Sequence, residues 1–437
     1  MISTFKRAVT KTPGILLKDA EINLFKSELE YSAPARGMWN IVHTGMLIPE
    51  AHQIFVCASS CLRGVVLTAA EMNLSHRFST IEIRNNNILD GTMEDLIIEG
   101  TAEILSHLEK QPPVVLVYTS CIHHFTGCDT DYVFSELEKC FPNIKFVHCF
   151  MNPIMRKSGL TPDQLMRRQL YDALTPMEKR NDTVGIIGND LPTSNTSELT
   201  EILKKSGRII NDITRCKSYG EYMKMAESSL NIVTYPAAKE AGKMLEEKLG
   251  TQFLYLPVSF NYGEIAEQTD KLCEALGEEY ICHSDKIRLC EDTMAEIKSI
   301  DMEVAIDYTA VSRPFELAEY LVMRGINVTE IYADSVSAED ERAFWHLKEI
   351  APQIMVYPTV HPKMCFKQNS FGKRILAIGQ KAAYFTGTKH FVNIIENGGL
   401  WGYDAIIGIA DEMKKAIDSE KDTQKLIQIK GWGCGCC

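Results

Sequence analysis

Pro112-Pro-Val-Val-Leu-Val-Tyr-Thr-Ser-Cys121-Ile-His-His-Phe-Thr-Gly-Cys128-Asp-Thr-Asp131 is the stretch around which the chain reads as organised. Val114 to Val117 is apolar without alternation, as a strand covered on both faces of a parallel sheet requires. The pattern then predicts a loop and a helix start. Asp129 or Thr130 is placed to cap that helix, whose apolar positions Val133, Leu137 and Cys140 recur at helical spacing. Cys121 accordingly falls just past the carboxyl end of a buried strand, where open α/β sheets place their ligands.

The same arrangement occurs upstream. Ile54 to Val56 reads as a short strand, Cys57-Ala-Ser-Ser-Cys61 as a small-residue turn, and Leu62 onward as a helix with Val65, Val66, Ala69 and Met72 on one side. A thiolate between strand and helix is favoured by the unsatisfied amides and positive end of the helix, which lower its pKa. Neither Cys57-x3-Cys61 nor Cys121-x6-Cys128 is specific alone. Two strand-loop-helix units ending in cysteine at one sheet edge are more telling, because a cluster needs thiolates converging from separate loops. Cys61 and Cys121 are therefore expected as metal ligands, with Cys57 and Cys128 as additional candidates. His123 and His124 read as satisfied loop histidines, with ligation or proton delivery as the alternative role.

With 437 residues, two or three domains are expected. A hydrophobic content of 45% with 24% charged residues is that of a globular chain, and a net charge of −12 argues against a nucleic-acid backbone as partner. No apolar run reaches membrane-spanning length, and the start MISTFKRAVTKTPG lacks the apolar core of a secretory signal, which gives the expectation of a cytoplasmic protein without membrane contact. Fourteen cysteines in such a chain point to burial, metal or redox chemistry instead of a disulfide framework. Cys140, Cys149, Cys216, Cys273, Cys282 and Cys290 are scattered singly and are expected as buried small apolar residues.

From Asp182 the pattern becomes a regular βα alternation. Strands are expected at 184–187, 208–210, 230–233 and 253–256, and helices at 197–205, after Ser218 with its capping-box partner Glu221, and from Pro236 to Leu249. A helical bridge from about Glu264 to Ile300 leads into a third alternation. Its strands fall at 302–306, 328–332, 354–357 and 374–378, and its last helix runs from Tyr403 to near Lys425. This predicts an α/β fold of three stacked parallel-sheet, Rossmann-like domains: 1–181 with the cysteine pairs, 182–300, and 301–430, followed by a cysteine-rich tail at 431–437. No dinucleotide fingerprint or phosphate loop is present, so any ATP must be bound by a partner. His361 and Cys365, spaced H-x3-C, are expected on one helical face in core or cleft packing. In the tail, Gly431-Trp-Gly-Cys-Gly-Cys-Cys437, the thiols of Cys434, Cys436 and Cys437 are soft ligands suited to iron, zinc or copper(I), and equally to an exposed redox or metal-delivery tail.

Phe55-Val-Cys-Ala-Ser-Ser-Cys-Leu-Arg-Gly64 and Val117-Tyr-Thr-Ser-Cys-Ile-His-His-Phe-Thr-Gly-Cys-Asp129 together resemble the paired cluster-binding segments of nitrogenase component 1 proteins. The relatives include the catalytic components of protochlorophyllide and chlorophyllide reductases, the nitrogenase cofactor scaffold, and a methanogen nickel-tetrapyrrole reductase. Cys61 and Cys121 fall on the second and third cluster cysteines of that pattern. Ser229-Leu-Asn-Ile-Val-Thr-Tyr-Pro236 and Gly399-Leu-Trp-Gly-Tyr-Asp404 resemble the family's second-domain strand and C-terminal segment. The resemblance implies three α/β domains with metal sites between them. Met38 follows Arg36-Gly37 where the family has its first cluster cysteine, so what is implied is a 4Fe-4S cluster shared between two chains, with Cys57 or Cys128 as an extra ligand. The cofactor cysteine of nitrogenase would fall near Tyr235, and its histidine has no aligned counterpart, His390 lying only nearby, so the resemblance does not imply an iron-molybdenum cofactor.

The function implied is that of a nitrogenase-like oxidoreductase component. An ATP-hydrolysing iron protein would pass electrons to an interfacial iron-sulfur cluster in a homodimer, or in a heterodimer with a related subunit, for reduction of a substrate the residues do not identify. His123, His124 and His361 are the candidate proton donors, and the tail a candidate second metal centre. The rival readings are a scaffold for metallocluster assembly and a redox or ligand sensor.

Overall fold

The computed structural model describes residues 12–25, 29–35, 41–151, 159–279, 281–297, 301–367 and 374–423. Two compact units emerge, one from the described residues of Trp39–Pro192 and Leu203–Pro257, the other from those of Met1–Met38, Thr193–Ile202 and Val258–Gly431. No helix among the described residues is long and apolar enough to cross a membrane. The first strand among the described residues, β1 (Ile15–Leu16), belongs to the second unit and is placed there below.

The first unit holds two four-stranded parallel sheets. In one, β2 (His52–Cys57), β3 (Phe78–Glu82), β4 (Val114–Ser120) and β5 (Lys145–Met151) are ordered β3-β2-β4-β5. Every residue of β2 and β4 is buried, which is why both read as unalternating apolar runs. Phe55 lies opposite Tyr118 in the register, and their rings stack at 4.0 Å. Successive side chains take opposite faces of the sheet. Phe55, Cys57, Tyr118 and Cys149 join the core beneath the helix Ser59–Glu71, and Ile54, Val56, Val115 and Val117 pack against the helices Met93–His107 and Thr130–Cys140.

Three local expectations are corrected here. The helix after Cys57 begins at Ser59, three residues before Leu62, and buries Leu62, Val65, Thr68 and Ala69, leaving Val66 at 42% exposure. Residues Cys121–Thr126 are a short helix, ended by Gly127 at φ +68°, and no loop separates Cys121 from β4. The helix Thr130–Cys140 follows, and Asp129 caps it by accepting a hydrogen bond from the Tyr132 amide at 2.9 Å. Asp129→Ala is expected to cost about 1 kcal/mol, read as faster amide hydrogen exchange through that helix. Cys140, its last residue, is exposed.

In the other sheet of this unit, β6 (Arg180–Ile186), β7 (Ile209–Asp212), β8 (Ser228–Val233) and β9 (Phe253–Tyr255) are ordered β7-β6-β8-β9. Ile187, Val233 and Leu245 belong to the same core cluster as Phe55 and Tyr118, so both sheets share one core. Ser218 and Glu221 form the expected cap: the Glu221 amide donates to Ser218 Oγ at 3.2 Å and the Lys217 amide donates to Glu221 at 2.7 Å.

The second unit is built on one six-stranded sheet. Its remaining strands, β10 (Glu303–Asp307), β11 (Val328–Tyr332), β12 (Met355–Tyr357), β13 (Ile375–Ile378) and β14 (Phe391–Val392), give the order β1-β12-β11-β10-β13-β14. Only β1 runs antiparallel. The bridge is two helices, Tyr262–Leu276 and His283–Ala295, and the last helix, Tyr403–Asp418, stops short of Lys425, which lies outside the described residues. Gly379 follows β13 at φ +111°, where a Cβ would run into the Asp307 carboxylate. Cys273 and Cys290 are buried, but Cys282 precedes the second bridge helix and is exposed. In the first unit Cys149 is buried and Cys216 partly so.

Candidate metal centre

Because β2 and β4 are adjacent and parallel, their carboxyl ends deliver Cys57 and Cys121 side by side. Cys57 is the last residue of β2, and Cys121 directly follows Ser120, the last residue of β4. Cys61 lies in the first turn of the helix Ser59–Glu71, its amide donating to Ala58 O at 2.9 Å. Cys61 and Cys121 are partly exposed and Cys57 is fully buried. Burial pushes the Cys57 thiol up to about 12, with the neighbouring Cys61 and Cys121 sulfurs adding to the rise. The three thiols therefore share one electrostatic neighbourhood.

Cys128 stands apart. It packs with the core on the other face of the sheet, and burial first, then Glu94, raises its thiol to about 12. Glu94 also accepts a hydrogen bond from the Asp129 amide at 2.7 Å.

Of the two histidines, His124 is exposed and His123 is buried. The Ser120 amide donates to His123 Nδ1 at 2.9 Å, which leaves the proton of the neutral ring on Nε2, and that atom has no hydrogen-bond partner among the described residues. The expected fully satisfied loop histidine is thus corrected: it is helical and half-satisfied. His361 and Cys365 are not on one helical face. Pro362–Phe366 is a 3-10 turn, and at three residues per turn positions i and i+4 diverge. His361 Nδ1 accepts from the Lys363 amide at 3.1 Å and Cys365 is exposed, outside any core.

Among the described residues, no three His, Cys, Asp or Glu side chains converge on a point that holds a single metal ion. An iron-sulfur cluster asks less of the protein, because its own sulfides bridge the irons and its thiolate ligands stand well apart. The donor set fits that group: soft sulfurs at strand ends, two of them reachable from solvent. Cys434, Cys436 and Cys437 lie outside the described residues.

Two further polar clusters in the structure were not legible in sequence. In the first unit Arg167, almost fully buried, forks onto Asp190 at 2.7 and 3.1 Å, reaches Asp163 at 2.9 Å and Gly188 O, and lies 4.1 Å over the Tyr235 ring. At the end of β10, Asp307 accepts from the Thr309 and Ala382 amides at 2.8 and 2.7 Å, and Lys381 reaches the Tyr308 hydroxyl at 2.5 Å. This is the topological switch point of the six-stranded sheet, between β10 and β13. His390 Nδ1 is bonded to Ala416 O at 2.9 Å.

Buried histidines also set a pH limit on the first unit. Burial, and then the Arg77 charge, lowers His52 to about 4, and burial likewise lowers His148, whose Nε2 meets Thr119 Oγ1 at 2.9 Å. Since the unfolded rings titrate at about 6.5, acid favours the unfolded chain, and stability that is intact above that value declines as pH falls toward 4. Each ring contributes on the order of 3 kcal/mol at full protonation. Urea midpoints measured from pH 7 to pH 5 are expected to fall, and to fall less steeply in His52→Gln and His148→Gln; a midpoint constant with pH would contradict this.

The sequence model for the nitrogenase component 1 type oxidoreductases matches residues 45–371 of this chain. The chain belongs to that family. Within it, the chain is 26% identical over 252 residues to the nitrogenase iron-molybdenum cofactor biosynthesis protein NifE of Clostridium pasteurianum. That match takes in 55% of this chain and 51% of the relative, so the chain spans about half the length of the curated relative it matches. Two solved structures, titled "Nitrogenase Cp1 at pH 6.5" and "Nitrogenase Cp1 at pH 5", share the fold with TM-scores of 0.65 and 0.57 at 15% and 13% identity. They cover 90% and 91% of this chain, and 94% and 91% of their own. The component 1 type fold is thus established for this chain as an α/β structure with several parallel sheets.

Proposed function

We propose that this chain is a nitrogenase-like reductase component that takes single electrons from a separate ATP-dependent iron protein and delivers them to a substrate. The observation that supports it is the placement of Cys61 and Cys121, in the first helical turns that follow the adjacent parallel strands β2 and β4, at positions that are both partly exposed. A 4Fe-4S cluster bound there, between two copies or between this chain and a related subunit, supplies one-electron storage and relay. Cys61 and Cys121 hold it, Cys57 and Cys128 are additional candidates, and the helix start at Ser59 favours a thiolate at Cys61. His123 and His124 flank the site on its short helix, and His123 holds its free proton on a buried Nε2. The tail thiols Cys434, Cys436 and Cys437 are the donor set for a second metal. The division into 1–181, 182–300 and 301–430 belongs to the same reading.

The likeness to NifE favours a second reading, a scaffold on which a metallocluster is built and handed on. One experiment separates the two. Anaerobic protein mixed with an iron protein of this system is expected to show reduction of its visible iron-sulfur absorbance only when MgATP is present. Transfer of iron and sulfide to an acceptor protein, with no ATP-dependent reduction, would overturn the reductase reading in favour of the scaffold.

A further inference from the structure

We infer that Cys57, and not Cys128, is the third sulfur donor of the protomer's cluster site, an assignment that rests on the reading of Cys61 and Cys121 as cluster ligands. The two candidates differ in which face of the sheet they serve. Residues alternate along a strand, and Cys57 lies with Phe55 on the face covered by the helix Ser59–Glu71. Cys61, from the first turn of that helix, packs against the same core. Cys128 packs with the core on the opposite face, among Val115, Val117 and Leu137.

Strand register brings in the third thiol. Phe55 pairs with Tyr118, so Cys57, two residues on, comes beside Ser120, and Cys121 is the next residue. The Cys61 and Cys121 sulfurs are the two neighbouring thiols that add to the burial of Cys57 in raising its thiol. Cys128 instead faces Glu94 and Asp129, carboxylates that repel the anionic form a ligand must take.

Ala58, Ser59 and Ser60, which carry the chain from β2 into the helix, are small and at least partly exposed. Cys57 is thus the last residue of its strand, next in sequence to short, partly exposed residues, unlike Cys149, which lies within β5. On ligation the S–H bond breaks, the proton leaves to solvent and an iron-sulfur bond forms, and that bond would offset the cost of deprotonating a buried thiol.

The test compares anaerobically prepared wild type with Cys57→Ala, Cys57→Ser, Cys128→Ala and the Cys61→Ser/Cys121→Ser double variant. Iron and acid-labile sulfide per chain and the electron paramagnetic resonance spectrum after reduction are read, with circular dichroism as the check on folding. The expected result is iron loss or an altered spectrum in both Cys57 variants, a wild-type result for Cys128→Ala, and near-complete loss in the double variant. Folded Cys57 variants with wild-type iron and spectrum, beside a double variant that has lost its iron, would overturn the role of Cys57 alone. A double variant that keeps its iron would overturn the underlying reading of the site. If the Cys57 variants fail to fold, Cys128→Ala and wild type decide: the paramagnetically shifted cysteine β-proton signals of the reduced cluster are expected to come from three cysteines per chain in both proteins. Signals from only two cysteines in the folded Cys128→Ala protein would refute the assignment.

Discussion

Serine at both Cys61 and Cys121 is expected to leave a folded protein that has lost its iron. Each substitution exchanges one atom at a partly exposed position, and neither side chain is fully buried in the core. The fold around them is carried by Leu62, Val65, Phe55 and Tyr118, which the substitutions leave in place. What changes is the donor. A hydroxyl oxygen is a hard ligand with a pKa far above that of a thiol, whereas iron in a sulfide cluster prefers thiolate. Removing even an outer partner of a metal ligand costs roughly 10- to 100-fold in affinity, so losing two sulfurs from one edge is expected to cost more. Iron and labile sulfide analysis reads the loss, and circular dichroism confirms the fold. Single variants are expected to retain part of the iron with an altered spectrum.

The second large effect lies in the core of the same unit. Arg167→Met is expected to destabilise the first unit by about 3–5 kcal/mol, because it leaves the Asp190 carboxylate buried and unpaired. The loss extends beyond one ion pair, since the guanidinium also meets Asp163, Gly188 O and the Tyr235 ring. Arg167→Lys is expected to recover little of this, because an ammonium on a flexible stem does not reproduce the planar fork. Replacing both partners together, Arg167→Met with Asp190→Leu, removes the uncompensated charge and is expected to restore much of the stability. Urea unfolding of the four proteins decides; an Arg167→Met midpoint equal to wild type would refute the structural role given to this cluster.

How much of this was legible beforehand depended on whether the signal was local. β2 and β4 announce themselves because a strand buried on both faces carries a near-continuous apolar run, residues 54–57 and 114–117 here. Strand β3, Phe-Ser-Thr-Ile-Glu, lies on the sheet edge with one buried residue, so nothing in its sequence separates it from a loop. Asp129 and Ser218 were readable as caps because a cap and its amide are three residues apart.

His361 and Cys365 misled because their spacing fits an α-helix, and the chain takes a 3-10 turn that begins at Pro362. Cys140 keeps the helical spacing of Val133 and Leu137 but is the last residue of the helix and is exposed. Arg167 and Asp190 stand 23 residues apart and pair only once the chain has folded. The same holds for Cys57: its four-residue spacing from Cys61 is visible in sequence, but the face it shares with Cys61, and Cys128 does not, depends on strand alternation within a sheet whose two cores are defined by distant helices.

The central claim is that the ends of β2 and β4 carry an iron-sulfur cluster used for electron relay. Iron and acid-labile sulfide content of strictly anaerobic wild-type protein, with electron paramagnetic resonance after reduction, tests it most directly. The account predicts at least about four irons with matching sulfide for every two chains, and a reduced-cluster signal that is missing from the Cys61→Ser/Cys121→Ser protein. Wild-type protein without iron or sulfide, or a double variant with an unchanged signal, would contradict it.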